Sequence, residues 1–82
     1  MREAHPITIT RSNNMYVVYI HDLDCNTQGE SIADAMYMAR DAIELLFKVK
    51  TEAGLPFPKP SDITNNKVSD GEIVTLVDVM LE

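Results

Sequence analysis

Residues 15–54 read MYVVYIHDLDCNTQGE and then SIADAMYMARDAIELLFKVKTEAG, and their patterning decides the fold. Met15 to Ile20 is an unbroken run of apolar and aromatic residues rich in β-formers. Alternation places Met15, Val17 and Tyr19 on one face and Tyr16, Val18 and Ile20 on the other, which predicts a strand covered on both faces. His21-Asp22-Leu23-Asp24 breaks that pattern, and Cys25 to Gln28 is short enough for an edge strand. Ser31 is a good N-cap, and Asp34 three residues later forms a shortened version of the capping box. Ile32, Ala35, Met36, Ala39, Ile43, Leu46 and Phe47 then form one helical stripe, with Arg40, Asp41, Glu44 and Lys48 off it. Gly54 is placed to terminate the helix, and Pro56 prevents its resumption. The spacing predicts a helix over residues 32–53, about 33 Å long at 1.5 Å per residue.

Outward from this centre the elements are simpler. Pro6-Ile7-Thr8-Ile9-Thr10 alternates apolar residues with threonine, predicting a strand with one buried face and Pro6 as its first residue. Arg11-Ser12-Asn13-Asn14 supplies the turn. Leu55 to Pro60 carries proline at every second position and must be extended. It reads first as a stiff connector and second as an arm for docking. Residues 61–71 are polar and turn-forming, and Glu72 to Val79 is a β-branched last strand. The sum is one α+β domain, with one long helix on a mostly antiparallel sheet. The other sheet face is left uncovered as a candidate association surface.

At 82 residues the chain has room for one domain with little core to spare, so oligomerisation is a natural source of further buried area. A single cysteine excludes an intrachain disulfide framework and a cysteine-rich zinc site. The apolar runs are far shorter than the ~18–20 residues of a membrane span, and the first six residues lack the core of a secretory signal. A cytoplasmic, reducing location is expected. Seven basic against thirteen acidic side chains give a net charge of −6. That offers no cationic footprint for nucleic acid. It suits a basic protein partner, or serves solubility alone.

No catalytic constellation emerges. Asp22 and Asp24, with Glu30 nearby, are the carboxylates best placed for a divalent cation, but their spacing matches no ligand motif. His5 and His21 form no metal-binding pattern. Cys25 has no adjacent base, although a Cys25–His21 dyad is open to sequence reading. Gly29, Gly54 and Gly71 are isolated and make no phosphate loop. No enzyme activity, cofactor or metal is expected.

Three segments together carry a family pattern. They are Tyr16 to Asp24, Asn26 to Ser31, and Ala33-Asp34-Ala35 running on to Ala39-Arg40-Asp41-Ala42-Ile43. Gly54, Pro56, Pro58, Pro60 and Ser61 follow in the matching order. The chain resembles the N-terminal domain of HicB antitoxins from about residue 6 to 79, with His21 where that family commonly has proline. The resemblance implies a partial RNase H-like fold, β-β-β-α-β. It also implies the role of a type II antitoxin that binds HicA, a small basic mRNA interferase, and blocks its active site. The RNase H reaction itself needs a first-strand carboxylate, and Ile7 to Thr10 offers none. HicB antitoxins usually continue into a DNA-binding segment. Residues 1–82 reach Val79-Met80-Leu81-Glu82 without one, so a single HicB-like domain is expected and promoter binding is not assigned to it.

The leading expectation is therefore an antitoxin module that occludes a HicA-type toxin. Charge and location, rather than the resemblance, suggest its contacts: Asp22, Asp24 and Glu30 as acidic groups, Tyr19 and Leu23 as apolar anchors. A stand-alone dimeric or tetrameric HicB-like scaffold without a toxin is the alternative, and a metal-dependent nuclease relic is the third reading.

Overall fold

The computed structural model describes residues 1–63 and 68–81. The central part of the expected turn-forming stretch 61–71 lies outside the described residues. The elements are β1 (Arg2–Ser12), β2 (Met15–Ile20), a 3-10 turn (His21–Leu23), β3 (Cys25–Gly29), α1 (Ile32–Glu52) and β4 (Glu72–Met80). They form one four-stranded sheet in the order β3-β2-β1-β4, with every pairing antiparallel. This is the α+β arrangement expected from the sequence. Among the described residues, no helix is long and apolar enough to cross a membrane.

Antiparallel register sorts the side chains. Ile7 faces Ile20, Ile9 faces Val18, and His5 faces Val77 across the ladders, so these residues share the face that α1 covers. Ile7, Ile9, Val18, Ile20, Val77 and Val79 are buried there against Ala35, Ala39 and Ile43 of the helix. Each large aliphatic side chain removed from water in this way stabilises the fold by roughly 1.5–3 kcal/mol. The small residues at 35 and 39 let α1 lie close to the sheet. Gly29 at the end of β3 is closer still: a Cβ there would stand 2.4 Å from the backbone nitrogen of Ala35. Ile32, assigned to the buried stripe by its spacing, is 41% exposed.

The helix ends where its capping residues stand. The Asp34 amide donates to Ser31 Oγ at 3.0 Å. The Asp34 carboxylate accepts from the Glu30 amide at 2.9 Å, one residue before the position a full capping box would bind. At the other end the amides of Leu55 and Gly54 donate to the carbonyls of Lys50 and Thr51, with Gly54 at φ 72°. These two bonds form a Schellman motif. Past it, the 55–60 arm folds back. Phe57 meets Phe47 of α1 edge-on at 5.1 Å and the His5 ring at 5.8 Å, clipping helix to sheet.

β1 is longer than its sequence pattern predicts, and Pro6 lies inside it rather than at its start. Pairing with β2 begins at Ile7. At Pro6 the strand therefore has β4 as its sole neighbour, and the missing amide interrupts no two-sided ladder. The outer edge of β4 is partly closed by α1. Arg40 donates to the Asp78 carbonyl, and Glu44 accepts from the Met80 amide.

Candidate functional site

The turn after β2 separates its two aspartates. Ile20 ends β2, His21–Leu23 make one 3-10 turn, and Asp24 takes a left-handed conformation with φ 47°, a region that aspartate tolerates. Asp22 points to the helix-covered side. Its Oδ2 lies 2.7 Å from His5 Nδ1 and accepts the Ser61 amide at 3.1 Å. Asp24 turns to the open side, where Oδ1 accepts the Tyr19 hydroxyl at 2.8 Å. Carboxylates two apart in sequence are thus divided by the sheet, and the arrangement considered for a cation is not formed. Among the described residues, no group of three or more His, Cys, Asp or Glu side chains is placed to hold a metal ion.

His5 is the polar centre of the helix-covered side. Its side chain is fully buried, with Nδ1 facing Asp22 and Nε2 facing Glu3 Oε1 at 3.1 Å. An ionised carboxylate only accepts, so both contacts are satisfied when both ring nitrogens carry hydrogen. Burial acts to raise the Asp22 pKa. Hydrogen bonds from Ser61 and His5, and the charge of His5, outweigh it and hold the carboxyl below its ordinary range. On the other side, the bond to Asp24 raises the Tyr19 hydroxyl. Burial, helped by the negative charge of Asp24, pushes the Cys25 thiol up. Cys25 pairs with Ile20 and packs against the core, whereas His21 Nε2 lies 2.6 Å from Thr8 Oγ1 on the open side. The Cys25–His21 dyad is therefore not brought together.

The expected contact residues fall in two places. Tyr19, Asp22, Leu23 and Asp24 occur together at the turn. Leu23 packs against the core, Asp24 is exposed, and the Asp22 side chain retains only 7% exposure. Glu30 is exposed past the far end of β3, about 17 Å away at ~3.4 Å per strand residue.

Sequence reading marked the open sheet face as a candidate association surface but named none of the residues that shape it. Thr8 and Thr10 form its middle, opposite Tyr19 and Val17 of β2 and Val74 and Glu72 of β4. Because threonine is short, the face is hollow there. A recess of about 310 Å³ is lined by Thr8, Thr10, Val17, Tyr19, His21 and Glu72. Leu76 and Met80, 41% and 51% exposed, extend the face along β4. The strand pattern already placed the threonines opposite the core. That Glu72 would join them depends on a register between residues far apart in sequence, which no local signal encodes.

Comparison with known proteins adds to this geometry. The family model for the HicB_like antitoxin of bacterial toxin-antitoxin systems matches residues 5–82. Two solved structures share the fold. One is a chain of a toxin–antitoxin complex from Streptococcus pneumoniae, 22% identical over 98% of this chain and 70% of that one, with a TM-score of 0.85. The other belongs to a HicA3 and HicB3 toxin–antitoxin complex, 24% identical over 96% of this chain and 98% of that one, with a TM-score of 0.73. No curated protein matches the sequence.

Proposed function

The chain belongs to the HicB-like antitoxin family of bacterial toxin–antitoxin systems, and from that premise we propose that it neutralises a HicA-type mRNA interferase by covering the toxin's active site. The match over residues 5–82 carries this reading, and the charge of −6 supports it, since an acidic surface steers and holds a basic partner. The antitoxin acts in the cytoplasm as a single HicB-like domain over residues 1–82. It needs no catalytic group of its own and contacts the toxin rather than nucleic acid.

The turn after β2 is the proposed contact. Asp24 presents an exposed carboxylate, oriented by the Tyr19 hydroxyl. Tyr19 and Leu23 supply apolar surface beside it. Asp22 serves by fixing the turn through His5 and Ser61. Glu30 supplies a second acidic point beyond the other end of β3. One observation favours the alternative of a self-associating scaffold: the open face carries the exposed side chains of Leu76 and Met80. On the leading reading the chain forms a homo-oligomer as well as binding the toxin.

Co-expression with the toxin, paired with titration of the purified proteins, tests the proposal. Asp24→Lys should weaken binding roughly tenfold or more, the range for reversing one member of a close charge pair, and restore growth arrest. Glu30→Lys should have a smaller effect. Full neutralisation by the Asp24→Lys, Glu30→Lys double variant sinks the site assignment. A stable oligomer with no affinity for the toxin selects the scaffold.

A further inference from the structure

The recess on the open sheet face has one acidic residue, Glu72, in its wall and the hydroxyls of Thr8 and Thr10 in its lining. The geometry points to an arginine of the basic partner entering it, in contact with Glu72, Thr8, Thr10 and Tyr19. This rests on the antitoxin reading and extends it to a surface beyond the turn.

The socket follows from the strand order. Thr8 and Thr10 form the floor on β1, Glu72 stands on β4, and Val17 and Tyr19 stand on β2. The flanking strands are about 10 Å apart at ~4.8 Å per strand spacing. An acidic wall, a hydroxyl floor and an aromatic wall therefore face a gap one side chain wide. The acceptors are underused. Glu72 Oε1 accepts the Ser69 amide at 3.0 Å, and among the described residues Oε2 has only a long contact of 3.5 Å from Thr10 Oγ1. Thr8 Oγ1 engages His21 Nε2, and a hydroxyl with two lone pairs still has acceptor capacity to spare. Among the described residues lining the recess there is no lysine or arginine to fill this demand.

Charge fixes the class of occupant, and shape selects within it. With a net charge of −6 and Glu72 in the wall, the recess favours a cation over a second copy of this chain. A guanidinium is planar and carries five N–H donors. It can hydrogen-bond to Glu72 and the threonine floor while presenting its plane to the Tyr19 ring. A lysine ammonium is a point charge and reaches one wall at a time. The recess adjoins Asp24 through the Tyr19 hydroxyl, so the socket and the turn form one continuous surface.

Titration of the purified full chain with its HicA-type toxin provides the test. Glu72→Gln keeps the shape and an acceptor for Ser69 but removes the charge, and should weaken binding about tenfold or more. Thr10→Arg places the chain's own guanidinium in the recess and should weaken binding by a similar factor. It substitutes a half-buried surface residue, so it keeps the test open if Glu72→Gln melts early. In a scan of the toxin's arginines to glutamate, one variant should lose affinity for the wild-type chain and regain it with Glu72→Arg. Wild-type affinity in both Glu72→Gln and Thr10→Arg, with Asp24→Lys still impaired, overturns the socket and leaves the antitoxin reading standing. A wild-type chain that does not bind the toxin at all removes the reading on which the socket rests.

Discussion

Replacing Gly29 by alanine should be among the most damaging single-methyl additions in this protein. Its backbone is not in the left-handed region, so the penalty is one of space. The new Cβ would stand 2.4 Å from Ala35 N, 2.6 Å from Ala35 Cα and 2.8 Å from the Asp34 carbonyl carbon. Ordinary contact begins near 3.4 Å, so the strand and the helix must separate by about 1.0 Å. All three atoms are backbone, and no side chain can rotate aside. Neither partner yields freely. Gly29 pairs with Tyr16, and the helix start is tied by the bonds of Ser31 and Asp34. A retreat of that size forfeits roughly a quarter to a half of the dispersion attraction between the Ala35–Ala39 face and the sheet. Overpacking typically costs ~1–3 kcal/mol, and a disturbed N-cap adds ~1 kcal/mol. A loss of about 3 kcal/mol corresponds to roughly 12–24 °C in Tm for a domain of this size. Thermal unfolding followed by circular dichroism measures it, with Gly54→Ala as comparison. At Gly54 an added Cβ meets nothing, but φ is +72°, so only the left-handed backbone penalty of ~1–2 kcal/mol applies. Ala35→Gly should not rescue Gly29→Ala, since the clash is with backbone. A Gly29→Ala melting point within about 2 °C of wild type refutes the close apposition of β3 and α1.

Two further outcomes follow from the helix-covered side. The Asp22 carboxyl is held below its ordinary range in the folded chain, so its contribution to stability is full above the unfolded value of about 3.8 and is lost as pH falls through the folded value. Asp22→Asn should lower the urea midpoint at neutral pH and flatten its decline below about pH 4; an equally steep decline in both proteins counts against the Asp22 network. Phe57→Ala should release the 55–60 arm from Phe47 and His5. The expected cost is about 1–3 kcal/mol, below the range for a fully buried phenylalanine because this ring is half-buried. Faster exchange of the Ser61 amide, whose bond to Asp22 the arm positions, is the local readout, and unchanged protection there rejects the clip.

Local chemistry made much of this fold legible. Ser31 and Gly54 bound the helix because capping is a matter of adjacent residues, and Met15–Ile20 declared itself an inner strand by being apolar on both faces. The first half of β1 was hidden. Arg2-Glu3-Ala4-His5 has weak strand propensity, and its pairing with β4 supplies what the local sequence lacks. The site was half legible. Asp22, Leu23, Asp24 and Tyr19 are neighbours in sequence and in space, but a 3-10 turn and one left-handed residue sent the two aspartates to opposite sides. His5 reads as a lone histidine until the fold brings Asp22 and Phe57 to it. Glu72 joins the recess only through the β1–β4 register.

That same register governs the order in which the molecule can be built. β1 and β4 pair from Arg2 with Met80 to Thr10 with Glu72, so an inner strand receives one neighbour that is made only after β2, β3 and α1. During synthesis the β1–β2 hairpin can form early, but roughly 3–10 s of elongation at ~5–20 residues per second separates the end of β2 from the start of β4. Over that interval the edge of β1 that β4 will occupy is a row of unpaired backbone groups flanked by Ile7 and Ile9. It is open to whatever strand arrives first. Closure also depends on contacts that span nearly the whole sequence, the class of topology that folds slowly for its size. The sheet is therefore most open to mispairing in the interval just before β4 closes it.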